Sequence, residues 1–112
     1  MELDYAAQCL DKLGNPIRLE IIRLLVRAGP DGLSVGALKA HLAIAASTLS
    51  HHILHLVSVG LIRKRRRGRV LCCTPNYDLL GALVAMLTDE CCRGVPHTAA
   101  PVAAQSSYGA LG

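Results

Sequence analysis

The chain has 112 residues, is 52% hydrophobic with neither Trp nor Phe, and carries a formal charge of +4 and five cysteines. Such a length sets one small domain with a modest core and a reason to dimerise, and a core of Leu, Ile, Val and Ala suits packed helices better than an aromatic-rich sandwich. No run of roughly 18 apolar residues spans a membrane, and the acidic start "MELDYAAQCL" lacks the basic and apolar segments of a signal peptide, so the chain reads as cytoplasmic, where cysteines serve something other than structural disulfides.

In chain order, Leu3, Ala6, Ala7, Leu10 and Leu13 fall at helical spacing and predict a first helix over Leu3–Leu13. The stretch Gly14 to Pro16 interrupts it, with Asn15 as a cap and Pro16 at the first position of a second helix that runs to Ala28. Ile17, Ile21, Leu24 and Leu25 form its buried stripe, while Arg18, Glu20, Arg23 and Arg27 stay outside. Gly29 to Gly32 is a turn, and Ser34 caps a short helix over Val35 to His41. A fourth helix runs from about Ala46 to Val59 and ends at Gly60. It buries Leu49, Ile53, Leu56 and Val57, and turns Ser47, Thr48, Ser50, His51 and His55 outward. Two short strands then flank a basic turn at Arg66 to Gly68. A last helix leads from Asn76 or Tyr77 to about Cys92, apolar along Leu80, Leu83, Val84 and Leu87. Residues 1–93 make the domain, and 94–112, mostly Pro, Ala, Ser and Gly, read as a disordered tail.

Two helices, a tight link, a third helix and a basic hairpin are the order of a winged helix-turn-helix, mainly α with a β-hairpin wing. Arg63, Lys64, Arg65, Arg66, Arg67 and Arg69 are half of the chain's 12 Lys and Arg. A charge run alone is often only a solvated face, and a Ser or Thr in a first helical turn is often only a cap. Together and in this order they point to DNA. Short hydroxyls and imidazoles at a helix N-terminus let it enter a major groove roughly 12 Å wide, and hairpin arginines follow the phosphates or reach the minor groove. Two copies double the phosphate contacts and call for double-stranded operator DNA of near-palindromic sequence. The first and last helices carry more apolar surface than the small centre uses, which makes them the seam of a homodimer.

The segments "LGNPIRLEIIRLL" and "LSVGALKAHLAIAASTLSHHILHLVSVGLIRKRRRGRV" resemble the ArsR/SmtB family of bacterial metal-sensing repressors over roughly Ala6 to Cys92. The resemblance implies that Ser47, Thr48, Ser50 and His51 approach DNA from the recognition helix and that Arg67 and Arg69 lie in the wing; His55 on the outward face of the same helix, and Arg65 and Arg66 in the basic run, join them as DNA-binding candidates. Ala45 and Ala46 stand where members commonly carry Ser and Gln, so a polar cap and a groove contact are missing. The family's Cys-x-Cys arsenic site before the recognition helix is absent from "LKAHLAIAA". Its Asp and His site on the last helix is missing too, because that helix offers Asp78 and Asp89 without a histidine.

What remains is "LTDECC", which is similar to the arsenite-responsive branch with vicinal cysteines late in the last helix. Adjacent thiols suit a soft, thiophilic ion, and the resemblance makes Cys91 and Cys92 ligands of As(III) or Sb(III), the inducer. The third thiolate is Cys9 from the first helix across the dimer seam, or the pair takes a two-thiol organoarsenical instead. Cys72 and Cys73 lie in a strand that buries one and exposes the other, and a buried free cysteine is ordinary. The chain thus reads as a repressor that needs no cofactor to bind DNA and that trivalent arsenic or antimony releases. The alternative is a redox- or sulfide-sensing repressor on the same scaffold, with a disulfide between Cys9 and Cys91 or Cys92. An enzyme is not expected, since no histidine and orienting group converge on a nucleophile.

Overall fold

The computed structural model of the protein describes residues 1–96. It holds five helices and three short strands: α1 (Leu3–Leu13), α2 (Pro16–Ala28), β1 (Leu33–Ser34), α3 (Val35–Leu42), α4 (Ala46–Ser58), β2 (Ile62–Arg67), β3 (Val70–Pro75) and α5 (Tyr77–Thr88). The local signals place the helix starts. Asn15 Oδ1 accepts from the Ile17 and Arg18 amides at 2.9 and 3.2 Å, with Pro16 beside it at the start of α2. Ser34 Oγ accepts from the Ala37 amide at 3.0 Å, and Asn76 Oδ1 from the Leu79 amide at 3.2 Å. Between α3 and α4 the chain turns on Ala43, whose φ of 53° lies in the left-handed region and whose amide donates to the Lys39 carbonyl. That residue ends α3 in one step and sets α4 across it.

The core is aliphatic, as the composition requires: Ile21, Leu25, Leu38, Leu49, Leu56, Leu61 and Ile62 are fully buried, joined by two cysteines, Cys9 and Cys73. α2 buries Ile21, Ile22 and Leu25, while Ile17 and Leu24 are only half-buried. The inward face of α4 is Leu49, His52, Ile53 and Leu56, so His52 takes the place expected for Val57, which is half-buried. The reason is helical phase: His52 lies three residues after Leu49 and four before Leu56, on the same side of the helix.

Three expectations are corrected. The wing turn is tighter than Arg66 to Gly68: β2 and β3 pair as far as Arg67 with Val70, which leaves Gly68 and Arg69 as a two-residue loop. Gly68 has φ of 64°, and glycine at the first central position is what a tight II′-type hairpin favours. Leu33 and Ser34 form a third strand, paired antiparallel to Cys73 and Cys72 at the β3 edge, so the sheet order is β1-β3-β2. Gly32 permits this approach, since a Cβ there would stand 2.0 Å from the Cys73 carbonyl oxygen. Finally, α5 stops at Thr88 rather than near Cys92. Asp89 is extended (ψ 142°), and Glu90 and Cys92 adopt φ of 57° and 67°, which an α-helix cannot contain. The cysteine pair therefore follows the helix in a turn. The tail expected over 94–112 lies, from residue 97 onward, outside the described residues.

Candidate nucleic-acid interface and thiol pair

α4 presents Ser47, Thr48, Ser50 and His51 to solvent, with His55 half-buried beside them. Ala45 precedes the helix in an extended conformation and no side chain caps it, so first-turn amides stay available to an anion. Leu54 lies on this same outward face and is 61% exposed, a feature that apolar patterning alone does not anticipate. β2 is buried only at Ile62, and Arg63 to Arg67 are all exposed. Alternation puts Arg63, Arg65 and Arg67 on one side of the ribbon, and Lys64 and Arg66 on the other. Arg69 is exposed in the loop. Among the described residues the ion pair is Arg93 with Glu90, and no wing cation takes part in it. A cluster of like charges without counter-charges repels itself and is suited to a polyanion.

Polar side chains from two other helices hold α4 in place. From α1, the Tyr5 hydroxyl donates to the Val59 carbonyl just beyond the helix. Also from α1, Lys12 Nζ lies 3.1 Å from His55 Nδ1. His55 Nε2 lies in turn 3.1 Å from His51 Nε2. From α2, Arg18 Nε donates to His52 Nδ1 at 3.1 Å, and its Nη1 donates to the Lys12 carbonyl at 3.3 Å. Burial, followed by the Arg18 guanidinium and His51, pushes the His52 pKa down. Desolvation, with Arg18 and then Lys12 as the leading charges, lowers that of His55. Both imidazoles are thus held neutral near pH 7. Sequence reasoning missed this network. Only the phase of His52 within α4 offered a signal for part of it.

The sulfurs of Cys91 and Cys92 lie 3.2 Å apart and both residues are exposed. The turn that carries them is closed by the Arg93 amide, which donates to the Glu90 carbonyl at 3.2 Å. The hydrogen bond to Cys92, and then the charge on that neighbour, raise the Cys91 pKa. Cys9 faces the core beside Tyr5, whose pKa is raised by burial and by Cys9. Within one chain, and among the described residues, no three His, Cys, Asp or Glu side chains gather as a metal site. Cys9 is therefore not brought to the pair inside a single protomer. Cys73 is buried and Cys72 half-buried, the alternation expected of a strand. Burial raises the Cys73 pKa, and Lys64 offsets part of that rise.

α1 and α5 leave apolar side chains in the open. Leu3 is 70% exposed, Val84 67% and Leu87 64%. No helix among the described residues is long and apolar enough to cross a membrane, so this surface is not a span.

A family model described as a helix-turn-helix domain matches residues 13–65. The homodimeric winged helix-turn-helix DNA-binding domain of a possible ArsR-family transcriptional regulator from Mycobacterium bovis is 31% identical, with a TM-score of 0.63 over 79% of this chain and 82% of that one. A possible transcriptional regulator for arsenical resistance is 28% identical, with a TM-score of 0.63 over 71% of this chain and 80% of the other. Reduced HlyU from Vibrio cholerae is 27% identical, with a TM-score of 0.61 over 80% and 92% of the two chains.

Proposed function

Because this chain belongs to the ArsR family of winged helix-turn-helix, DNA-binding transcriptional regulators, we propose that it is a homodimeric repressor acting in the cytoplasm, released from its operator when As(III) or Sb(III) binds Cys91 and Cys92. The observation that carries the inducer is the exposed sulfur pair 3.2 Å apart, just beyond α5. Vicinal thiols of this kind chelate soft, thiophilic ions in preference to harder ones.

On the DNA side, Ser47, Thr48, Ser50 and His51 of α4 enter the major groove, with His55 behind them, and Arg65, Arg66, Arg67 and Arg69 engage the backbone or minor groove. DNA binding itself needs no cofactor. The exposed Leu3, Val84 and Leu87 support α1 and α5 as the seam between two copies, and two-fold pairing of reading helices demands a near-palindromic site. Ion binding next to α5 changes the seam, and α1 passes the change to α4 through Tyr5 and Lys12. Cys9 is buried in its own protomer's core and is not gathered with the pair within one chain, so it serves as a third thiolate across the seam only if α1 shifts, and otherwise the pair takes a two-thiol organoarsenical. The similarity to a possible regulator for arsenical resistance supports this reading. Titration of the dimer on its operator with arsenite tests it: release at about one ion per protomer is the expected result, and retention of DNA at saturating arsenite refutes it.

A second reading is favoured by the same sulfur spacing. Thiols this close, with no third ligand gathered in the chain, also suit a redox- or sulfide-sensing repressor, and a relative solved in a reduced form supports that option. Release of DNA by peroxide, with an intact-mass loss of two hydrogens and no metal present, separates it from the first.

A further inference from the structure

We propose that Lys12 fixes the hydrogen-bonding polarity of His51, so that the reading helix selects a hydrogen-bond acceptor on a base-pair edge. This rests on the reading that α4 lies in the major groove. The chemistry follows from which atoms are able to donate. An ammonium has no lone pair, so His55 Nδ1, 3.1 Å from Lys12 Nζ, is the acceptor of that contact. A neutral imidazole carries one N–H, so with Nδ1 accepting, the His55 proton is on Nε2. Desolvation, with Arg18 and Lys12 next in weight and His51 and His52 after them, keeps His55 in that neutral form.

The Nε2–H of His55 faces His51 Nε2 at 3.1 Å. His51 must accept there, which moves its own proton to Nδ1. The rings meet edge to face, 4.5 Å between centroids and 83° between planes, and are not stacked. His51 is exposed, and its Nδ1–H is the polar group left over for a ligand. In the major groove such a donor pairs with guanine O6 or N7, adenine N7 or thymine O4, and is turned away by the amino groups of adenine and cytosine. Without Lys12 no donor holds His55 Nδ1 as an acceptor, and His51 is free to present either a donor or an acceptor. Lys12 touches no base in this arrangement; it is a positioning residue, set on the helix that also forms the proposed seam.

The test uses the full chain and a duplex selected by the wild type from a random-sequence pool. Histidine ¹⁵N shifts at pH 7.5 are expected to show His51 protonated on Nδ1 and His55 on Nε2 in the wild type. Lys12→Met is expected to give tautomer mixtures at both rings, and Lys12→Arg to keep the wild-type pattern. Against duplexes with single base-pair changes or 7-deazapurines, the wild type should discriminate about tenfold at one position. Lys12→Met should discriminate about twofold or less there, with Lys12→Arg restored. A folded Lys12→Met protein with unaltered His51 tautomer, or with full discrimination at every position, overturns the role of Lys12 alone. A pool from which the wild type enriches no sequence overturns the groove reading, and the proposal with it.

Discussion

Arg18 donates from Nε to Nδ1 of His52 at 3.1 Å, tying α2 to the buried side of α4. An always-charged guanidinium offers only donors, so His52 serves this contact through a lone pair. Burial and the same positive charge lower its folded pKa.

That lowering has a direction in pH. An unfolded histidine takes up its proton near pH 6.5, whereas folded His52 resists it to lower pH. Between the two values the unfolded chain binds more protons, so stability rises with pH across that window. Stability is full above about pH 6.5, is lost as pH falls from there through the folded value, and changes no further below it on this account. His55, also lowered, adds in the same direction. Urea unfolding at pH 7.5, 6.0 and 5.0 is expected to show this loss, and His52→Gln to have a shallower slope. A profile flat from 7.5 to 5.0 contradicts it.

The wing is expected to act through charge. Replacing Arg65, Arg67 or Arg69 by Ala should weaken binding to all DNA sequences alike and reduce the slope of log K against log salt by about 1 for each phosphate no longer neutralised. Ser50→Ala and His51→Ala, on α4, should instead relax discrimination between sequences by about 1–3 kcal/mol at most. Fluorescence anisotropy at several salt concentrations distinguishes the two behaviours.

For the thiol pair, Cys91→Ser and Cys92→Ser should each fold, dimerise and bind operator, yet fail to release it with arsenite. Zn(II) should bind weakly to the wild type, for lack of nitrogen or oxygen ligands gathered with the two sulfurs. Cys9→Ser separates the ligand sets: loss of the arsenite response with a retained response to a methylated trivalent arsenical means three thiolates for the first and two for the second. The raised Cys91 pKa implies a small thiolate fraction at neutral pH, so its alkylation by iodoacetamide should be slow at pH 7 and accelerate at alkaline pH. A Cys91→Ser, Cys92→Ser double variant that still lets go of DNA with arsenite removes the pair as the inducer site.

The seam is tested by charge as well. Val84→Glu with Leu87→Glu places two carboxylates on an apolar face of α5 that is two-thirds exposed in one chain. Sedimentation should show a monomer, with operator affinity reduced at least tenfold because a single copy neutralises only half as many phosphates. A variant that remains a dimer of normal affinity places the seam elsewhere.

By itself the sequence determined whatever depends on near neighbours along the chain. Asn15 and Ser34 mark helix starts by caps that reach two or three residues on, and the 3.6-residue period of α2 and α4 assigns most of their inward faces. The basic wing was legible because its charges are consecutive, and so was the thiol pair. Tertiary structure decided what depends on distant partners. Leu33 and Ser34 become a strand only because Cys73 and Cys72 offer them a free edge, and Gly32 lets the backbones meet. The end of α5 at Thr88 follows from left-handed backbone at Glu90 and Cys92, which no periodicity reports. The contacts that α1 and α2 make with α4 were hidden for the same reason. Lys12 and His55 are 43 residues apart in sequence and Arg18 and His52 are 34 apart, and no local pattern records that folding brings their nitrogens to 3.1 Å.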